Sequence, residues 1–212
     1  MERRIRKPTQ KRALEKMDKI IQASFKLFNE IGYYNTTTAD IAKEAGVATG
    51  SVYAYFEDKK DIYLHVQKMV SDRFIYPTKD FWMENKIIDL ENENAVKEIF
   101  RVFVKLMIQY HNFSKLYHDE LDALTLLDKD VRNLKEAQEI ERTKKIYEVF
   151  EIMSIPFKSE EDSAIFLHYC NLIIDDICHK ILYDESIKDI NSYIEKGVDM
   201  IYSLFKSTTL TS

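Results

Sequence analysis

The residues with the clearest chemical signature form a run of small and hydroxyl-bearing side chains: Ala48, Thr49, Gly50, Ser51, Tyr53 and Tyr55. Small side chains let a backbone approach base edges, and hydroxyls donate hydrogen bonds to phosphate oxygens. Val52 and Phe56 interrupt the run at helical spacing, so one face is apolar and the other is small and polar. The pattern predicts a short helix that enters the major groove of DNA, while Thr38 and Lys59 contact the phosphate backbone beside it.

The sequence also predicts the helices that would position this short helix. Apolar residues at three-and-four spacing predict a first helix from about Lys11 to Gly32. Thr37, with Asp40 three residues later, predicts a capped start of a second helix, which Gly46 ends. Two short helices joined by a glycine-bearing turn predict a helix-turn-helix. A helical hairpin packed inside a larger bundle, with the tyrosines in the core or at its rim, is the alternative.

The distribution of charge favours a nucleic-acid partner for the N-terminal part. Residues 1–60 carry 12 Lys or Arg against 8 Asp or Glu, a net +4, whereas residues 61–212 carry 19 against 28, a net −9. A basic arm of this kind is attracted to a polyphosphate surface, although a solvated tail is the alternative interpretation. The arm consists of Arg3, Arg4, Arg6, Lys7, Lys11 and Arg12.

Composition indicates an all-α protein of about nine helices. Four glycines and three prolines in 212 residues are too few for a many-turned β-fold. Periodicity predicts a fourth helix after Asp58 that Pro77 breaks or kinks, followed by five helical stretches at about 94–111, 115–127, 130–153, 160–183 and 187–206. The chain has no apolar run that could cross a bilayer, so we expect a cytoplasmic protein with no membrane partner. Cys170 and Cys178 are expected to be reduced core thiols.

The segment Ile20–Val66, IIQASFKLFNEIGYYNTTTADIAKEAGVATGSVYAYFEDKKDIYLHV, resembles the DNA-binding region of TetR-family bacterial regulators. The resemblance implies a DNA-binding domain at residues 1–58 and an effector-binding and dimerisation domain at residues 59–212. It also implies an all-α homodimer that binds double-stranded operator DNA and whose C-terminal body binds a small molecule. Two-fold symmetry then predicts a palindromic site, and we expect a lipophilic effector to release the protein from it. The motif places Thr38, Thr49, Gly50, Ser51, Tyr53, Tyr55 and Lys59 at the DNA contacts of the family. Ala48 replaces a common serine, and Ala39 replaces a larger polar residue.

The body beyond residue 80 carries no recognisable catalytic motif, so the sequence predicts neither an enzyme nor a cofactor. Its apolar residues suit a cavity between helices, although ordinary core packing explains most of them. The candidate effector residues are Phe103, Met107, Tyr110, Tyr147, Phe166 and Tyr169. From the net −9 we expect a neutral or cationic effector. No metal is predicted, because His168 and His179 are eleven residues apart, about 16 Å along one helix.

The last two long helices are the predicted dimer contact. The resemblance places the interface there, and a mid-helix glycine suits close packing. The candidates are Ile173, Ile177, Gly197, Val198, Ile201 and Phe205, with intrachain packing as the alternative. We expect the effector to shift the fourth helix and weaken operator binding. A helical lipid- or acyl-group-binding protein or enzyme, whose basic arm contacts a membrane or an acidic partner, is the rival interpretation.

Overall fold

The structure, a computed structural model, describes residues 11–84, 89–111 and 113–210, except for the side chains of residues 74–79. The basic arm at residues 1–10 therefore lies outside the described residues, and Lys11 and Arg12 begin the first helix. The described part contains nine α-helices and no β-strand. They are α1 (Lys11–Ile31), α2 (Thr38–Glu44), α3 (Thr49–Tyr55), α4 (Lys59–Glu84), α5 (Glu93–Tyr110), α6 (Lys115–Leu127), α7 (Lys129–Ile152), α8 (Glu160–Tyr183) and α9 (Ile190–Thr208).

The chain forms two compact units, the first of which comprises described residues 11–72 and 113–141. It contains α1, α2, α3 and α6, together with the first parts of α4 and α7. The side chains of Ile20, Phe28, Ile41, Val52, Phe56 and Ile62 are buried at its centre. Helix α6 packs on α1, with the rings of Phe25 and Tyr117 edge-on and 5.7 Å apart between centroids.

The second unit comprises described residues 73–111 and 142–210. Helix α9 packs against α5 and α8 around a core that includes Val104, Ile174, Val198 and Ile201. Gly197 makes this packing close, because a Cβ built on it would lie 2.2 Å from Cδ1 of Ile177. The absence of a side chain at Gly197 therefore lets α9 pack closely against α8.

The structure confirms the predicted fold class and helix order. Every predicted helical stretch is present, and apart from the end of α4 the predicted and observed ends differ by up to three residues. Pro77 does not end α4, which continues to Glu84. The two units divide the chain between residues 72 and 73 and between residues 141 and 142, and α6 packs on α1 despite its distance in sequence. The functional boundary predicted between residues 58 and 59 stays a prediction. None of the described helices has the length and apolar composition needed to span a membrane.

Candidate nucleic-acid interface and effector cavity

Local interactions set the geometry of α2 and the turn that follows it. Thr37 caps α2 by accepting a hydrogen bond from the Asp40 amide at 3.2 Å, and the Asp40 carboxylate accepts from the Thr37 amide at 3.0 Å. Gly46 has φ +66°, a backbone conformation that costs other L-residues about 1–2 kcal/mol. The Val47 amide then donates to the carbonyl of Ala42 at 2.9 Å. The capped start and glycine turn predicted from the sequence are therefore present.

Helix α3 separates its two faces as the sequence pattern predicts. The side chain of Val52 is completely buried and Phe56 is 1% exposed, whereas Thr49 and Gly50 are exposed within this unit. A Cβ built on Gly50 would meet nothing within 4 Å, so the space outside the helix is open. We call the outward residues the reading surface: Thr38, Ala48, Thr49, Gly50, Ser51, Tyr53 and Tyr55. Within its own unit this surface is open to solvent at Ala48, Thr49 and Gly50, and its other residues are partly exposed.

Two hydroxyls of the reading surface are tied together. Thr38 Oγ1 and Tyr53 Oη lie 2.7 Å apart, which joins the start of α2 to the middle of α3. Ser51, Tyr53 and Tyr55 are partly exposed, whereas Ala48 is exposed and provides no side-chain cap for α3. A hydroxyl pair held in this way has its orientation fixed before a partner arrives, which reduces the entropy lost on binding.

The side chain of Lys59 contacts the turn after α1, and its predicted phosphate contact stays a prediction. Its ammonium donates hydrogen bonds to the carbonyls of Tyr33 at 2.6 Å and Thr36 at 2.8 Å, and lies 4.3 Å from the Tyr33 ring centroid. Burial lowers the pKa of Lys59 from its ordinary value. This placement gives Lys59 a structural role that the sequence reasoning missed: it fastens the start of α4 to the turn after α1.

Glu120 on α6 is a second positioning residue that the sequence reasoning missed. The Tyr33 amide donates to its carboxylate, and a Cβ built on Gly32 would lie 2.7 Å from its Oε1. Gly32 has φ +86°, a backbone conformation that favours glycine at this position. Glu120 lies 87 residues from Tyr33 in sequence. No local pattern could have paired them.

The second unit contains a cavity of about 140 Å³ that is walled mainly by apolar side chains from α4, α5, α7, α8 and α9. Three of the predicted effector residues, Phe103, Met107 and Phe166, lie in its wall. Tyr110, Tyr147 and Tyr169 are not among its described lining residues, and Tyr169 is 51% exposed. Five further aromatic side chains line the cavity and were not among the six candidate effector residues: Trp82, Phe100, Phe150, Phe157 and Phe205.

The charged groups at the cavity are basic, in contrast to the acidic composition of the body. Arg142 and Lys145 line it, together with the amide of Asn171, and no Asp or Glu is among the described lining residues. Cys170 also lines the wall, and burial raises the pKa of its thiol to about 12. The net charge of residues 61–212 was therefore a poor guide to the charge that a bound effector would meet.

The residues proposed for the dimer contact lie mostly inside the second unit. Ile177, Gly197, Val198, Ile201 and Phe205 are buried by α5, α8 and α9 of the same chain. Ile173 is partly buried beside them. Intrachain packing accounts for their burial, so the dimer contact stays a prediction that needs other side chains on the same two helices.

The histidines of α8 make different contacts. His168 is exposed, whereas His179 Nε2 lies 3.2 Å from Nε2 of His111 on the segment after α5 and 3.5 Å from Oδ1 of Asp175. His111 had no part in the sequence reasoning, since it lies 68 residues from His179. The pairing is a polar contact between α8 and the end of α5, and His168 takes no part in it.

Both sequence and fold are similar to those of known bacterial regulators. Residues 20–66 match the family described as "Bacterial regulatory proteins, tetR family". The chain is 33% identical over 129 residues to the fatty acid metabolism regulator protein of Bacillus subtilis, a match covering 60% of each chain. It is 29% identical over 143 residues to the negative transcriptional regulator IcaR of Staphylococcus aureus, covering 62% of this chain and 75% of that one.

A solved structure extends the fold similarity to nearly the whole chain. A TetR-family regulator structure from Mesorhizobium loti superposes with a TM-score of 0.74 at 15% identity, covering 93% of this chain and 98% of that one. At this identity the superposition concerns the fold alone. The chain spans 60% of the length of the Bacillus protein, and only 26% of another curated relative.

Proposed function

We propose that this chain, which belongs to the tetR family of bacterial regulatory proteins, is a homodimeric repressor that leaves its operator when a small lipophilic molecule fills the cavity. The observation that carries the proposal is the division of α3, whose Val52 is completely buried while Thr49 and Gly50 face solvent. A helix that is small and polar outside and apolar inside suits the major groove, which is about 12 Å wide. The name of IcaR, a negative regulator, supports repression over activation.

The reading surface supplies the DNA contacts in this proposal. Tyr53 and Thr38 offer hydroxyls to phosphate oxygens, while the exposed backbone at Gly50 approaches the base edges. Lys59 acts by holding α4 against the turn after α1, and the basic arm adds sequence-independent attraction to phosphate. Because operator DNA is the partner, the proposal places the protein in the cytoplasm and gives it no membrane partner and no catalytic step.

Exposed apolar side chains on the two last helices support the dimer. Ile165, Tyr169 and Leu172 lie exposed on α8, and Met200 is exposed on α9. On α8 they are spaced at i, i+4 and i+7, which puts them on one face of the helix. We propose that a second copy of the chain covers this face, so that two reading surfaces bind half-sites about 34 Å apart or a multiple of that distance.

Release of the operator requires that the cavity and the reading helices be linked. Helix α4 begins at Lys59, three residues after the buried Phe56, and carries Trp82 in the cavity wall. An effector that displaces Trp82 would move α4 and thereby change the separation of the two reading helices.

Operator binding tests the proposal through its salt dependence. An operator selected from random duplexes should bind as a palindrome, and the affinity should fall about 10³- to 10⁵-fold between 50 and 200 mM salt if the dimer makes about six to ten phosphate contacts. Fluorescence anisotropy with labelled duplex measures this directly. An affinity that does not change with salt, or failure to select any palindrome, would contradict the proposal and favour the lipid-binding or enzymatic alternative.

A further inference from the structure

The cavity wall combines a large apolar surface with one basic edge. Arg142 and Lys145 are three residues apart on α7 and therefore lie on the same side of that helix. Arg142 is exposed and makes no ion pair or hydrogen bond among the described residues. Asn171 on α8 adds an amide that can donate a further hydrogen bond. Every charged group described in the wall is therefore a cation.

This charge discriminates between classes of lipophilic ligand. An ammonium ligand would face the guanidinium of Arg142 in a wall without a described carboxylate, and would be repelled. A neutral ligand would leave Arg142 without a partner at the cavity. A carboxylate would accept charge-assisted hydrogen bonds from the guanidinium, which are about twice as strong as neutral ones.

We propose that the effector is an amphipathic carboxylate whose apolar body fills the cavity and whose headgroup is bound by Arg142 and Lys145, with Asn171 donating a hydrogen bond. The inference rests on the proposed repressor function, because the ligand is an effector only if its binding weakens operator binding. Binding of the ligand to the cavity can be measured without DNA. It reverses the expectation of a neutral or cationic ligand that the acidic composition suggested, because only the groups that line the cavity meet the ligand.

The size of the cavity limits the apolar body. Its volume of about 140 Å³ is close to the roughly 150 Å³ of an apolar cavity that holds benzene. A body of about six to eight carbon atoms therefore fits without rearrangement of the wall. Because Arg142 is exposed, the headgroup lies at the edge of the cavity and keeps partial contact with water.

Trp82 provides a direct measurement of binding in the intact protein. It is the only tryptophan of the chain and lies in the cavity wall, so its fluorescence reports occupancy. We propose titrating the protein at pH 7 with octanoate, 1-octanol and octylammonium, which share one chain length and differ in charge. Octanoate should bind about tenfold more tightly than octanol, the ratio expected for one charge-assisted hydrogen bond, and octylammonium should bind most weakly. Shorter carboxylates should lose about fourfold per methylene removed.

Charge-removing variants identify the headgroup site. The double variant Arg142→Gln/Lys145→Gln should lose about tenfold in octanoate affinity and keep its octanol affinity. Lys144→Gln is the matched control, because Lys144 is exposed on the same helix and is not a lining residue. It removes one positive charge from the same helix, outside the cavity wall, and should leave both affinities unchanged. Circular dichroism checks that each variant keeps its helix content.

Several results would overturn the inference. They are equal affinity for the three probes, tighter binding of octylammonium, no Trp82 response to any probe, or an octanoate affinity that the double variant leaves unchanged. Failure of the proposed function appears elsewhere, as loss of operator binding by protein that still binds octanoate. Operator binding that octanol and octanoate weaken equally would keep the repressor and reject the carboxylate site.

Discussion

Gly50 and Gly197 show how differently the two units use the absence of a side chain. At Gly50 a Cβ would meet nothing within 4 Å, whereas at Gly197 it would lie 2.2 Å from Cδ1 of Ile177. Gly50 therefore leaves room for something outside the chain, and Gly197 leaves room for a neighbouring helix of the same chain. The sequence offers the same residue type for both, so only the surroundings distinguish a recognition glycine from a packing glycine.

The two units also differ in the interactions that surround their candidate sites. The reading helices are held by hydrogen bonds, such as the one between Thr38 and Tyr53 and those from Lys59 to the carbonyls of Tyr33 and Thr36. The cavity is walled mainly by apolar side chains, and charged contacts such as that of Arg101 with Glu195 join α5 to α9 at the surface of the same unit. The shape of the reading surface therefore depends on these hydrogen bonds, whereas the shape of the cavity depends on the volumes of the side chains that line it.

The largest expected change in the free energy of unfolding tests whether the hydrogen bonds of Lys59 stabilise the reading helices. Replacing Lys59 by Met removes a charged donor from two backbone carbonyls and should lower the free energy of unfolding by about 2 kcal/mol. Lys60→Met is the matched control, since Lys60 makes solvent-exposed ion pairs with Asp130 at 2.6 Å and Asp128 at 3.3 Å, and such pairs contribute little to stability. Urea unfolding of both variants measures the difference. Equal losses would mean that Lys59 is an ordinary surface lysine.

A somewhat smaller change in the free energy of unfolding tests the close packing of α8 and α9 in the second unit. Gly197→Ala gains about 1 kcal/mol of helix propensity, but its Cβ collides with Cδ1 of Ile177, and overpacking costs about 1–3 kcal/mol. We expect a net loss of about 1 kcal/mol in the free energy of unfolding. Ile177→Val removes the colliding methyl group, so the pair Gly197→Ala/Ile177→Val should be less destabilised than the sum of the two single variants. Strict additivity would show that the two side chains do not meet.

Most of the fold and of the reading surface could be predicted because the signals are local. The capping box of Thr37 and Asp40 and the turn at Gly46 each need only a few neighbouring residues. The inward positions of Val52 and Phe56 follow from helical periodicity alone. Such short-range signals identify helices and their faces whatever the rest of the chain does.

The cavity and the positioning contacts could not be predicted because they join distant residues. Glu120 meets Tyr33 across 87 positions, and His179 meets His111 across 68. A cavity is also space that side chains leave unfilled, and no residue type marks it. Tyr147 and Tyr169 have the same chemistry as residues that line cavities, yet they are not among the described lining residues, whereas Arg142 lies in the wall.

The smallest expected change in stability is that of Gly50→Ala, which separates DNA recognition from folding because its effects on stability and on operator affinity should be opposite. Gly50→Ala places a methyl group in open space on α3, so the free energy of unfolding should rise by up to about 1 kcal/mol through helix propensity. The same methyl group would stand between the helix and a duplex, and we expect about a tenfold loss of operator affinity, equivalent to about 1.4 kcal/mol.

Gly46→Ala is the opposite control, because φ +66° makes it destabilising by about 1–2 kcal/mol although its added Cβ also meets nothing within 4 Å. Thermal unfolding and anisotropy on the same samples compare the two. If Gly50→Ala binds operator as the unmodified protein does, the backbone of α3 does not approach DNA closely. The recognition role would then belong to the hydroxyl groups of the reading surface, since these project beyond the backbone and do not require its close approach.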